Sequence, residues 1–242
     1  IVVELVGELG TARAIAQAAL DAGKHLVTAN KQLVAEYGKE LVERSRAAAV
    51  NLGIEACVAG GTPVLHAIRD GLAGENFKAV YGILNGTTNY ILTEMERRGC
   101  SFAEVLAEAQ EKGYAEPDPT FDVEGYDSRY KIAILAMICF GHAVRVEDIP
   151  VEGITRIDRV DFAYAHRLDH TIRLIAAARR RGAGRLEVFV RPLPAADDPL
   201  PGTACERPGL GQWHSAGGEQ RGKHSGDRAG RRWRTHRGCR GL

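Results

Sequence analysis

Residues 113–136 read GYAEPDPTFDVEGYDSRYKIAILA, which sets Glu116, Asp118, Asp122, Glu124 and Asp127 ahead of a single lysine, Lys131. From Ser128 to Phe140 the only charges are Arg129 and Lys131, and Ile132, Ile134, Leu135, Met137 and Ile138 cover nearly every side of a helix. A helix that is apolar all round is buried, so the spacing predicts a core helix over 128–140. An ammonium carried into such an interior, near the positive end of the helix, is disfavoured by the dipole and by desolvation. It needs carboxylate partners or a lowered proton affinity, and either suits a group that exchanges protons with a substrate. Asp127, at i−4, shares its face of the helix. Pro117 and Pro119 stiffen the acidic loop and hold the residues before them extended. Such a loop opposite one amine could bind an α-amino group and leave the lysine free for a carbonyl oxygen. A plainer reading has Asp127 capping the helix and Lys131 snorkelling to water. Periodicity leaves both open.

Three other stretches carry usable groups. VTANK ends at Lys31 just after an expected strand, where a doubly wound sheet opens its ligand crevice; an ordinary solvated lysine is the alternative. In EACVAGGTPVL, residues 55–65, Gly60 and Gly61 allow a sharp turn that exposes carbonyls. With Glu55 that turn could hold a hard cation, or it is structural alone. LNGTTNYIL brings Asn85, Thr87, Thr88 and Asn89 to a strand–helix junction, suited to capping and to binding a small polar ligand. No histidine metal site is expected from the eight histidines.

The elements that must position these groups change character along the chain. IVVELVG, KHLVTA and IEACVAGG read as buried strands, separated by helices over TARAIAQAALDAG, with Thr11 as N-cap candidate, and QLVAEYGKELVERSRAAAVNLG. That alternation indicates a parallel sheet, the later half of a doubly wound α/β domain. Residues 62–74 read as a helix, FKAVYGIL as a strand, and NGTTNYILTEMERRG and SFAEVLAEAQEKG as helices. HTIRLIAAARR and RLEVFVRP read as a hairpin about RGAG. This second block is α+β.

A hydrophobic share of 45%, a charged share of 26% and a net charge of +1 indicate a soluble globular chain with no global pull toward nucleic acid or membrane. No apolar run reaches the roughly 18–20 residues a membrane span needs, and a cytoplasmic setting is expected. The five cysteines form no CxxC pair and indicate neither a disulfide framework nor a zinc site; Cys57 and Cys139, in apolar runs, read as small core residues. The chain opens without methionine, as a strand entered midway, so the first half of the α/β domain is expected upstream. From about Pro201 the sequence is rich in Gly and Arg and has no Ile, Val, Phe or Tyr. This tail is expected to be disordered and reads as a shifted reading frame; an RGG-like RNA-binding tail is the alternative.

Together, VTANK, EACVAGGTPVL, GILNGTTNYIL, the acid–proline loop with its lysine helix, EGITRI and DFAYAHRLDHTIRLIAAA resemble the homoserine dehydrogenases, in that family's order, over about residues 1–200. The resemblance implies a partial Rossmann-type doubly wound domain, residues 1–58, followed by an α+β substrate-binding and dimerisation domain, residues 59–200, with 201–242 an anomalous tail. It implies interconversion of L-homoserine and L-aspartate 4-semialdehyde with NADP or NAD, a step toward threonine, methionine and isoleucine, in a homodimer. By position, Lys131 matches the proton-transferring lysine. Glu116 and Asp127 match substrate-binding carboxylates, and Asp122 a supporting acid of that site. Lys31 matches a cofactor-side lysine and Gly113 a residue beside the nicotinamide. Glu55, Val58, Gly60 and Thr62 match a sodium site formed largely by main-chain carbonyls; Thr62 departs from the aliphatic residue frequent there, which a backbone ligand tolerates. The glycine-rich phosphate turn is expected upstream of Ile1, and the family's glycine-rich C-terminal segment is replaced by the tail, so cofactor binding is expected to be impaired. The alternatives are another Rossmann dehydrogenase of a small amino-acid aldehyde, an inactive fragment, and a nucleic-acid binder acting through the tail.

Overall fold

A computed structural model of the chain describes residues 1–196 and the pair Trp213–His214. The first lobe is a three-stranded parallel sheet, β1 (Val2–Glu4), β2 (Leu26–Thr28) and β3 (Leu52–Gly53), in the order β1-β2-β3. Its crossovers are α1 (Leu9–Asp21) and α2 (Lys31–Ala47). Ala12, Ala16, Ala19 and Leu20 of α1 pack with Leu26, Leu33 and Leu41 into a small core on one face. Val3 and Val27 point the other way and stay exposed, as the two-residue period of a strand requires.

The second lobe joins α3 (Val64–His66), which runs on into a wider turn at Ala67–Gly71, to β4 (Ala79–Ile83), α4 (Gly86–Arg98), α5 (Phe102–Glu111), α6 (Thr120–Val123), α7 (Tyr126–Phe140), α8 (Arg159–Arg167), β5 (His170–Arg181) and β6 (Arg185–Ala196). β5 and β6 form the expected antiparallel hairpin through Gly182–Gly184, and β4 pairs antiparallel with β5. The tail expected to be disordered, together with its nucleic-acid reading, lies outside the described residues except for Trp213–His214 (β7). That pair forms a short strand parallel to β4 rather than irregular chain.

The apolar helix is central, as expected: Ile132, Ala133, Ile134, Leu135 and Ala136 of α7 are all buried in the large core. Gly125, at φ +83°, starts α7 in a left-handed turn; a Cβ there would lie 3.0 Å from Val151 Cγ1. α7 crosses α2 so closely that a Cβ on Gly38 would meet Met137 Cε at 2.8 Å.

Three expectations need correction. The third strand is not IEACVAGG: pairing stops at Gly53, and Glu55–Cys57 coil into a 3-10 turn. Ile54, Cys57 and Val58 are spent on the large core where the chain crosses between lobes, and the Cys57 thiol donates to Thr28 O at 3.4 Å. The helix expected over 62–74 shortens to α3 and its turn, ending at Gly71. Glu8, not Thr11, caps α1, its carboxylate accepting from the Gly10 and Thr11 N–H groups at 2.7 and 2.6 Å.

One contact fixes the acidic loop from below. Gly153 lies against α6, and a Cβ there would meet Val123 O at 2.5 Å and Glu124 Cα at 2.7 Å. Both obstacles are backbone, so neither can rotate aside. Gly153→Ala is therefore expected to cost about 1–3 kcal/mol of stability, read as a lower urea midpoint at unchanged slope.

Candidate active site

The two lysines singled out from the sequence meet on one carboxylate. Asp127 stands in the first turn of α7, with Gly125 rather than Asp127 at the cap. Its Oδ2 pairs with Lys131 Nζ at 2.6 Å and its Oδ1 with Lys31 Nζ at 2.8 Å. The first pair is the i, i+4 contact expected on one helix face. The second crosses from the first lobe, because Lys31 opens α2 directly after its N-cap, Asn30. Side-chain exposure is 4% for Asp127, 18% for Lys131 and 34% for Lys31. Lys131 therefore does not snorkel to bulk water; it also donates to Leu84 O at 2.7 Å. An ammonium has three donors, so among the described residues one is left for a ligand.

Asn85 joins the acids. Its Nδ2 donates to Asp122 Oδ1 at 2.7 Å and to Asp127 Oδ2 at 3.0 Å, while its Oδ1 accepts the Thr88 N–H at 2.8 Å and caps α4. Two ammonium groups and two carboxylates thus balance in a half-buried cluster. Burial raises the proton affinity of Asp127, but the Lys131 ammonium and the hydrogen bonds of Lys131, Lys31 and Asn85 outweigh it and hold the carboxyl below its ordinary value. A carboxyl depressed in the folded state contributes stability above its unfolded pKa of about 3.9, lost as pH falls through the lower folded value. The stability difference between this chain and Asp127→Asn is therefore expected to be constant at neutral pH and to shrink below about pH 4; denaturant midpoints across that range measure it.

Beside this cluster lies an open cleft of about 360 Å³ lined by Leu5, Val6, Gly7, Ala29, Asn30, Lys31, Gln32 and Phe121. It sits beyond the carboxyl ends of β1 and β2, where open α/β sheets bind ligands. Phe121 closes it from the second lobe, its ring centroid 5.5 Å from Lys31 Nζ and its ring stacked on Tyr130.

Other expected site residues stand apart. Glu116 is exposed and forms no ion pair with either lysine among the described residues; its main-chain carbonyl accepts from Gln110 Nε2 at 3.1 Å. Gly113, at φ +72°, ends α5 and does not line the cleft. Among the described residues no group of three His, Cys, Asp or Glu side chains could hold a metal. In the 55–65 turn, Ala59 and Gly61 have positive φ, Glu55 Oε1 accepts the Leu65 N–H at 3.1 Å, and Thr62 O accepts the Val64 N–H at 2.7 Å. The Val58 and Gly60 carbonyls accept no hydrogen bond among the described residues. Cys57 is inert, its thiol pushed up to about 12 by burial. Sequence reasoning missed Phe121, the Leu84 carbonyl and the buried acid Glu4; of these only Glu4 left a trace, as an acid ending a run of β-branched residues.

Residues 63–202 match the family model "Homoserine dehydrogenase", and residues 1–55 match "Homoserine dehydrogenase, NAD binding domain". The chain belongs to the homoserine dehydrogenase family. It is 45% identical to homoserine dehydrogenase of Neisseria gonorrhoeae over 192 residues, 79% of this chain and 44% of that protein. Against the crystal structure of a homoserine dehydrogenase from Thiobacillus denitrificans the TM-score is 0.78 at 45% identity, covering 82% of this chain and 46% of that one. A hyperthermophilic archaeal homoserine dehydrogenase in complex with NADPH gives 0.68 at 27% identity, covering 81% and 56%. The chain thus spans about half the length of the curated homoserine dehydrogenases it matches. Its mixed fold, a parallel sheet in the NAD-binding lobe and a separate antiparallel sheet, is that of the family. Among the described residues no helix is long and apolar enough to cross a membrane.

Proposed function

We propose that the chain carries the catalytic core of a homoserine dehydrogenase and interconverts L-homoserine and L-aspartate 4-semialdehyde with NADP or NAD, a step toward threonine, methionine and isoleucine. The observation that carries this reading is Asp127 held between Lys131 and Lys31 at the edge of the cleft. A bound nicotinamide would supply the hydride chemistry, taking hydride from the alcohol carbon or giving it to the aldehyde carbon. As the ammonium, Lys131 passes a proton to the aldehyde oxygen through the donor left by Asp127 and Leu84; as the neutral amine it takes the proton back from the alcohol in the other direction. Asp127 fixes the lysine, and fixed placement lowers the barrier. Glu116, with its carboxylate unengaged among the described residues, and Asp122, anchored by Asn85, supply negative charge for the substrate ammonium. The cleft is read as the nicotinamide site: Lys31 lines it, and Gly113, which does not, keeps its cofactor-side role by its place in the family's motif alone.

The assignment divides the chain into a nucleotide-binding part over 1–58 and a substrate and dimerisation part over 59–200, working as a homodimer in the cytoplasm. Glu55 and the carbonyls of Val58, Gly60 and Thr62 form an all-oxygen donor set. Two of those carbonyls are not otherwise engaged, which fits a sodium ion.

The test follows reduced nicotinamide on adding L-homoserine with NADP+ or NAD+, with L-serine as comparator. Homoserine-dependent reduction, absent with L-serine, is the expected result. Equal rates with other hydroxy amino acids would point to another Rossmann dehydrogenase, of broader alcohol–aldehyde range, and a folded chain giving no reduction would overturn the activity for this polypeptide.

A further inference from the structure

Glu4 ends β1 with 1% of its surface exposed and no ion pair among the described residues. A buried carboxylate is costly unless donors meet it, and two do. Oε1 accepts the Val6 N–H at 2.6 Å, and Oε2 accepts the Thr28 hydroxyl at 2.6 Å. Thr28, itself fully buried, accepts the Asn30 N–H at 2.9 Å, and Asn30 Nδ2 donates to Val6 O at 3.0 Å. The bonds close into a ring: Glu4, Thr28, Asn30, Val6 and back to Glu4. Val6 and Asn30 line the cleft, and Lys31 is the next residue. If packing alone mattered, an apolar side chain would serve this position better.

We propose that Glu4 is a positioning residue: its buried carboxylate ties the turn after β1 to the turn after β2 and so fixes where Lys31 reaches Asp127. The purpose of the ring rests on reading the cleft as the nicotinamide site; its geometry does not. Without the Thr28 hydroxyl, Glu4 loses a charge-assisted bond, Asn30 loses its acceptor, and the start of α2 loosens.

The readout is exchange of the Lys31 ammonium hydrogens with water, by 15N NMR of lysine-labelled chain, with Lys31→Arg identifying the signal. Thr28→Val is expected to speed that exchange about tenfold, the effect of losing one charge-assisted hydrogen bond. Thr28→Ser, which keeps the hydroxyl, restores it, and Glu4→Gln, which keeps one acceptor, falls between. Leu20→Ala weakens the same lobe without touching the ring and is expected to leave the signal in place. An unchanged signal in Thr28→Val, or an equal change in Leu20→Ala, would overturn the proposal. Calorimetry with NADP+ runs alongside: no binding by the unsubstituted chain counts against the cofactor reading, while the lysine signal still decides the role of Glu4.

Discussion

Lys131→Ala is expected to lower homoserine-dependent turnover by about 10²–10⁴-fold, the range a positioned proton-transfer group supplies, while the chain stays folded. The side chain donates to Asp127 and to Leu84 O, and no other lysine reaches that carbonyl among the described residues. Asp127 keeps Lys31 and Asn85 after the change, so no buried carboxylate is orphaned. The loss of stability is accordingly modest, about 1–3 kcal/mol. Nucleotide affinity should hold, because Lys131 does not line the cleft. Steady-state kinetics, a melting curve and a nucleotide titration, run on this chain and on the same chain extended to the length of its relatives, separate these claims. Turnover near the unsubstituted rate in a folded variant would remove Lys131 from the mechanism.

Asp127→Asn produces the larger structural effect. The substitution keeps shape and removes the charge that two ammonium groups share. Breaking a buried pair from one side costs about 3–5 kcal/mol, because the remaining charge is left uncompensated. Most of that falls on Lys131, since Lys31 is a third exposed and water screens it. Asp122→Asn is the control: among the described residues the Asp122 carboxylate takes a single side-chain hydrogen bond, from Asn85, worth about 1 kcal/mol. A double-mutant cycle combining Lys31→Met with Asp127→Asn tests the cross-lobe pair directly: the Lys31 substitution should cost stability while Asp127 carries its charge and cost little once that charge is gone. Equal destabilisation by the Asp127 and Asp122 substitutions would mean that the shared carboxylate is not the centre of the cluster.

Local rules sufficed for part of this architecture. The burial of α7 follows from apolar side chains on all its faces, the Lys131–Asp127 pair from i, i+4 spacing, and the β5–β6 hairpin from glycines between two β-rich runs. The Lys31–Asp127 pair is different: nothing in VTANK indicates which acid, far along the chain, the lysine will meet, since that depends on how α2 packs across α7. The Leu84 carbonyl is invisible for a related reason, because every residue has one and only the fold selects which faces the lysine. Thr11 was a reasonable cap by residue type, yet the longer Glu8 carboxylate reaches two N–H groups at once. IEACVAGG failed as a strand because apolar character reports burial, not the partner that buries it. The same pattern served a crossing between lobes.

Helix α2 belongs to both halves of the molecule. Leu33 and Leu41 pack in the small core, whereas Val34, beside Leu33 in sequence, packs in the large one, and Gly38 lets Met137 settle against the same helix. A single rod with a face in each oil-filled compartment leaves no clean fracture line near residue 58. Calorimetry should therefore record one melting event for the whole chain rather than two, and a protease nick at that boundary should release neither half as a free-standing fold.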